Sequence, residues 1–408
     1  MNHTLHIKLR ALVLIALMVV LILYSGAMRA DTGTCSGASV TLPFTDVQAS
    51  SNFFCSIASA YLTGLTNGTS VTTYSPSANV PREQMAAFVS RTLDQSLRRG
   101  SNRGVLDQWW TPTSIPGSAT TDVEDQPKTV RSDGADVWVA THGNGAVMRV
   151  RASDGQLRGT WTGAHGAYGV LVARGRIFVT GDSHRLYGID PTQAPGAVTV
   201  VTDELDSIPQ GIAYDGSRIW TANYGNTSGS VSIVSFGVCI GGCVNTVTAG
   251  FGHPKGILYD GFNIWVTDPG DDSLKKLNSN GSIAQSLPVG SAPALPVFDG
   301  TNIWVPSSLS SSMTVVRVKD SLGNPLAQPF VLATLTGNGL NDPRAAVFDG
   351  QRILVTNFAG DSVSLWKATD LTPLGSFTTG LGTEPFGACS DGINFWIKLN
   401  GTDKLGRF

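Results

Sequence analysis

Apolar and polar residues along this chain follow a short pattern that returns. The stretch "YDGSRIWTAN" runs from Tyr214 to Asn223 and "YDGFNIWVTD" from Tyr259 to Asp268. Each is an Asp-Gly turn followed by a continuous apolar run of β formers. Related phrases stand at Ser132 to Thr141, Ala173 to Gly181, Phe298 to Ser307, Phe348 to Asn357 and Ser390 to Leu399, which makes seven. Their turn positions (Asp133, Arg174, Asp215, Asp260, Asp299, Asp349 and Asp391) are 41, 41, 45, 39, 50 and 42 residues apart. A strand apolar on both sides is buried on both faces, and a strand-rich repeat of about forty residues predicts a radial array of blades. The slot after the turn holds Trp138, Phe178, Trp220, Trp265, Trp304, Leu354 and Trp396. These are expected to pack blade against blade.

Each repeat parses as four strands: an inner one ("QGIAY"), the "IWT" strand, a third ("GSVSIVS") and an outer fourth ("NTVTAG"). The seventh repeat runs out after "DKLGRF". Its missing outer strand is expected from "GVLDQWWTP", with Val105 to Thr111 pairing beside Lys404 to Phe408, so that the ring closes without an open edge. The predicted fold is mainly β: a seven-bladed β-propeller over residues 101–408, preceded by a small α-helical module at 31–100 and a signal peptide at 1–30.

In the module, Phe54, Ile57, Ala58, Tyr61 and Leu65 recur at helical spacing, as do Met85, Phe88, Val89 and Leu93 beyond Pro81. The spacing predicts two amphipathic helices. A unit of this size needs a staple or a partner surface. Its phrases "FTDV", "GLTNG", "YSP" and "VPREQMAAFVSR", within residues 43–97, resemble the S-layer homology domain. The resemblance implies docking on a cell-envelope polysaccharide. Arg82 matches the signature Arg of that family, Pro81 stands in place of its Thr, and Gln84 in place of its Glu. The repeats from residue 104 onward resemble propellers of the NHL or YVTN type, the group that includes virginiamycin B lyase-like proteins.

Composition narrows the partners. The chain is 41% hydrophobic and 14% charged with a formal net charge of −2, so it offers no basic field for nucleic acid. Lys8 and Arg10 precede an apolar run from Ala11 to Leu23 and then small residues, the pattern of a signal peptide, with an uncleaved anchor as the alternative. Either way the protein is expected to be exported, to the cell envelope or beyond. Export permits disulfides, expected between Cys35 and Cys55 and, within "CIGGC", between Cys239 and Cys243. Zinc at "CIGGC" would need two more ligands than the neighbouring sequence offers. Cys389 is expected to be a buried free thiol.

Candidate chemistry is sparse. Outside the N-terminal segment His142, His165, His184 and His253 fall in different repeats, and no catalytic motif or metal-ligand pair appears. A lyase of the resembling group would be expected to cluster His and Glu in its later repeats. The acids Asp268, Asp271 and Asp272 could hold calcium, but are more simply a solvated turn. No cofactor and no metal are therefore expected. Two sets of loops open on one face of a propeller. After the second strand they carry His142, Asn144, Asp182, His184, Asn223, Asp268, Ser307, Asn357 and Asp361. Before the inner strand they carry Gln126, His165, Gln210, His253, Lys255, Arg344 and Glu384. From these, His142, Asn223, His253, Lys255, Asp268, Arg344 and Asn357 are the candidate ligand-binding residues, with Arg82 and Gln84 the candidate envelope-binding pair. The expected function is that of an exported or cell-surface binding or scaffold propeller, its partner an envelope polysaccharide or protein. The alternative is a metal-dependent lyase or lactonase-like enzyme.

Overall fold

The computed structural model describes residues 31–35, 38–62, 66, 68–82, 84, 85, 88, 120–123, 126–182, 184–237 and 242–408. The chain divides into two units, Met1–Trp109 and Trp110–Phe408. The expected signal peptide and the segment Val105 to Thr111 lie outside the described residues.

Seven four-stranded antiparallel sheets form the larger unit. Blade one runs outward through Pro127–Ser132, Asp136–Thr141, Ala146–Arg151 and Leu157–Trp161. Blades two to six repeat this order with inner strands Ala167–Ala173, Pro209–Tyr214, Ile257–Tyr259, Val297–Phe298 and Pro343–Phe348. Blade seven has Pro385–Ser390, Phe395–Leu399 and Lys404–Arg407, and its fourth strand is Thr120–Asp122, from the start of the unit. Thr121 faces Leu405, and Val123 N donates to Asp403 O at 2.9 Å. Closure is thus made by an upstream strand, as expected, but not by Val105 to Thr111. The place beside Lys404–Arg407 is filled by a segment that ends within a few residues of Pro127. A short link likewise joins blade one to blade two, where only residues 162–166 separate Trp161 from Ala167.

The repeated phrase explains both the turn and the interface. In the turn, Asp260 Oδ1 accepts the backbone N–H of Phe262 and of Asn263, each at 2.7 Å, while Gly261 takes a φ of +94° that favours glycine. The second carboxylate oxygen accepts the indole N–H of Trp265, five residues on, at 2.7 Å. The same bond joins Asp133 to Trp138, Asp215 to Trp220, Asp299 to Trp304 and Asp391 to Trp396. Each Trp can therefore be buried with its polar atom satisfied. Seven apolar clusters lie between successive blades. In them Trp138 meets Ile177 and Val179, Trp265 meets Ile303 and Val305, and Trp396 meets Val137 and Val139. Phe178 and Leu354 fill the same slot against Ile219 and Phe395.

Around the axis the inner strands approach closely because they lack side chains at one position. A Cβ on Gly169, Gly211, Gly256 or Gly387 would stand 2.2, 2.5, 2.8 or 2.4 Å from the carbonyl oxygen of Gln210, Lys255, Ala294 or Lys128 in the next blade. Threonines on the second strands reinforce the ring: Thr180, Thr267 and Thr356 donate to Gln210 O, Ala294 O and Phe386 O.

In the smaller unit Thr32–Cys35 pairs with Ala38–Thr41, and helix Phe54–Leu62 lays Phe54, Ile57 and Ala58 on a core with Leu42, Phe44 and Val47. Cys35 is bonded to Cys55, their Cα atoms 5.5 Å apart, as expected. This is a bond that persists in oxidising surroundings. Cys243 is also disulfide-bonded, its expected partner Cys239 lying outside the described residues, and Cys389 is a buried free thiol. Of the second expected helix, Arg82, Gln84, Met85 and Phe88 are described and helical, with Arg82 and Gln84 exposed. Leu65, Val89 and Leu93 lie outside the described residues.

Candidate functional site

Lys128, Tyr168, Gln210, Arg344 and Phe386 each follow the opening residue of an inner strand, and Lys255 and Ala294, after Pro254 and Pro293, hold the aligned place just ahead of the shorter inner strands of blades four and five. Sevenfold geometry brings this position to the mouth of the central channel, and the contacts show it. Phe386 of blade seven has Lys255 Nζ of blade four 5.9 Å from its ring centroid and Arg344 Cζ of blade six at 6.0 Å. Lys398 Nζ stands 5.3 Å from the same centroid. Blades four and seven are not neighbours, so Lys255 and Phe386 meet across the axis. Tyr168 and Phe358 set their rings edge-on to Phe386 at 6.4 and 6.3 Å, and Arg344 also lies over Phe358 at 5.0 Å. At the rim Tyr224 stacks on His253 at 4.8 Å, and His253 Nδ1 donates to Tyr224 O. Below this floor the channel narrows to a cavity of about 40 Å³ lined by Thr129, Gly169, Gly211 and Gly256, room for about one water.

Crowding basic groups into one dry site weakens their hold on protons. Burial, then Arg344, lowers Lys255 to about 8. Burial, then Lys128, lowers Lys398 to about 6, against the opposing pull of Asp403 and Glu384. Burial raises Tyr168, which therefore stays a neutral phenol. Among the described residues no carboxylate lies within ion-pair distance of Lys255 or Lys398, whereas Arg344 Nη2 is bonded to Asp342 at 2.7 Å. Two polar atoms of the floor, Arg344 Nε and Gln210 Oε1, are buried without a hydrogen-bond partner. Native interiors rarely tolerate that.

The expected ligand set divides. Lys255 and Arg344 come together on the floor with His253 at the rim. His142 is held apart from them, its Nε2 3.4 Å from Asp182 of blade two. Asn223, Asp268 and Asn357 end second strands and are fully buried. Asn223 Nδ2 donates to Ser230 and Ser232, and Asn357 Nδ2 to Ser362 and Ser364, which latches second strand to third. Asp268 takes the Lys275 ammonium at 2.6 Å, and Asp271 takes it at 2.8 Å. The acidic loop, expected to be a solvated turn, instead turns Asp268 and Asp271 onto an internal cation, the buried Lys275. Burial would raise Asp268, but Lys275 and the backbone N–H groups of His253 and Gly252 outweigh it and hold the carboxyl low. Among the described residues no three His, Cys, Asp or Glu side chains gather as a metal site.

Lys128, Tyr168, Tyr224, Phe358, Phe386 and Lys398 were not expected at the site. Lys128, Tyr168 and Phe386 share one sequence signal, the place directly after an aligned residue that is proline in six of the seven repeats (Pro127, Pro209, Pro254, Pro293, Pro343 and Pro385) and Ala167 in the other.

Fold and funnel together define a seven-bladed propeller with a cationic, aromatic mouth. No protein-family model matches the chain, and no curated protein matches it. Solved structures of similar fold include a streptogramin B lyase, at 14% identity and TM-score 0.55, covering 71% of this chain and 96% of that one. A catalytically inactive virginiamycin B lyase from Staphylococcus aureus with quinupristin is similar at 14% identity and TM-score 0.56, covering 71% and 97%. The Cps50 (Swd1) propeller domain of Myceliophteria thermophila is similar at 9% identity and TM-score 0.58, covering 71% and 99%. At these identities the likeness is one of fold.

Proposed function

We propose that this protein is an exported β-propeller that binds a ligand at the mouth of its channel, and that its N-terminal module, which resembles an S-layer homology domain, holds it to the cell envelope through the Arg82 and Gln84 region. The observation that carries the binding role is the funnel floor. Basic groups from three blades gather on one aromatic ring, with a buried guanidinium nitrogen and a buried amide oxygen left unpartnered. Such placed polar groups on an apolar floor are what fix a polar ligand. The Cys35–Cys55 disulfide and the charged-then-apolar N-terminus support export.

The test is a pull-down on isolated envelope polysaccharide and peptidoglycan, with the mature protein, a form lacking residues 31–100, and a folded Lys255→Gln/Arg344→Gln variant. Capture lost only by the deletion assigns attachment to the module. Capture lost only by the double variant assigns it to the funnel. Full capture of both refutes the proposal.

A further inference from the structure

Resting on the funnel as the binding site, we propose that its ligand is an acidic sugar, a ring bearing a carboxylate and hydroxyls, seated on Phe386 with its carboxylate between Lys255 and Arg344. Three needs of the floor match three parts of such a molecule. Arg344 Nε is a buried donor without an acceptor, and Lys255 has no described carboxylate within ion-pair distance. A carboxylate satisfies both with charge-assisted bonds. Gln210 Oε1 is a buried acceptor without a donor, which a hydroxyl supplies and a simple aromatic acid does not. Phe386, flanked edge-on by Tyr168 and Phe358, offers an apolar platform for the flat C–H face of a ring. The cavity of about 40 Å³ beneath is too small to admit the sugar, so the ring rests on the mouth.

The charge on Lys255 gives the proposal a signature. The groups that act on it are Arg344 and Asp342 of blade six, Lys128 of blade one and the ring of Phe386 of blade seven, which Lys398 and Tyr168 of blade two also meet, while Tyr224 and His253 stack on each other at the rim. Burial and Arg344 bring Lys255 to about 8, so an arriving carboxylate restores its proton. Lys398, at about 6, is already neutral there.

Isothermal calorimetry of the mature protein with glucuronate, glucose, benzoate and inorganic phosphate tests this. Glucuronate is expected to bind at least about ten-fold more tightly than the other three, and more weakly at pH 9 than at pH 7. At pH 8 its binding heat should change with the ionisation enthalpy of the buffer, because a proton is taken up. Lys255→Gln should abolish that buffer dependence and, like Arg344→Gln, weaken glucuronate about ten-fold or more at an unchanged melting temperature. Glucose binding as tightly as glucuronate, benzoate or phosphate doing so, no glucuronate binding, or no proton uptake by the wild type overturns the acidic-sugar assignment. If Phe386→Ala then still abolishes binding of whichever probe binds, the funnel survives as the site. If it does not, the funnel fails as well.

Discussion

Asp260→Ala separates two roles of the repeated aspartate, closing the turn and satisfying the tryptophan. Asp260 is 1% exposed and its carboxylate accepts four hydrogen bonds, from Phe262 N, Asn263 N, Asn263 Nδ2 and Trp265 Nε1. Phe262 is 59% exposed, so water replaces the carboxylate readily at that end of the turn. Trp265 is 0% exposed, and its indole N–H would be stranded at a cost of about 1–3 kcal/mol. Loss of the charge-assisted turn bonds adds about 1–2 kcal/mol, for a total of about 3 kcal/mol. At about 2 cal/mol/K of unfolding entropy per residue, a unit of roughly 300 residues loses about 5 °C for that change. Blade six supplies the control. Asp349 accepts Gln351 N, Arg352 N and Arg352 Nε, but its repeat has Leu354 where five of the others have Trp, and Arg352 keeps access to water. Asp349→Ala should therefore cost about 1 kcal/mol. Scanning calorimetry and urea titration of both variants, with Trp265→Phe alone and combined with Asp260→Ala, measure the difference. Trp265→Phe should cost about 1–2 kcal/mol less in the Asp260→Ala background than in the wild type. Equal losses at Asp260 and Asp349, or full additivity of the two blade-four substitutions, would refute the reasoning.

Gly387→Ala should destabilise by about 1–3 kcal/mol, since its new methyl meets Lys128 O at 2.4 Å across the ring, whereas Gly196→Ala, with nothing within 4 Å, should stay within about 0.5 kcal/mol. Thermal melts compare them directly. Cys389 is buried and its thiol pushed up to about 12 by burial, so a thiol reagent at pH 8 should find nothing to modify in the native protein and one thiol after unfolding without reductant. Burial would raise Asp215, but hydrogen bonds from Trp220 Nε1 and from the backbone N–H groups of Arg218 and Ser217 bring it down to about 2. A carboxyl lowered on folding contributes stability above its unfolded value near 4 and loses it as pH falls toward 2. Asp215→Asn should therefore flatten the pH dependence of stability between about 4 and 2, read from melts in that range.

The architecture is legible in sequence because its physical requirements repeat. A strand buried on both faces must be apolar throughout, a tight turn must carry Asp and Gly, and a large slot between blades must be filled, so Asp215, Gly216 and Trp220 announce a blade as clearly as Asp260, Gly261 and Trp265 do. What the pattern conceals is which side chains a short polar stretch spends internally. Asn223 and Asp268 resemble loop residues open to a ligand, yet each ends a second strand and is claimed by its neighbours, Ser230 and Ser232 for the amide and Lys275 for the acid. The closing strand is concealed for a related reason: nothing in the composition of "GVLDQWWTP" separates it from an outer strand, and the deciding constraint is the short link that the next inner strand demands, which Thr120–Asp122 satisfies.

The floor of the funnel escapes a search for repetition because it is where the repeat stops repeating. Positions that hold the ring together recur from blade to blade: glycine in four where neighbouring backbones touch, threonine in three where a hydroxyl bridges to the next inner strand, tryptophan in five where an aspartate accepts its N–H. The residue after the strand opening makes none of these side-chain contacts, and its main-chain carbonyl alone serves the ring, as Gln210 O and Phe386 O do for Thr180 and Thr356. Its side chain is not called on for any of these three ring contacts, and it varies as Lys128, Tyr168, Gln210, Lys255, Ala294, Arg344 and Phe386. The side chains at this place that meet across the channel, Tyr168, Lys255, Arg344 and Phe386, thus differ from blade to blade on a scaffold that repeats beneath them, and an asymmetric set of cations and aromatic rings is built at one mouth without disturbing the ring.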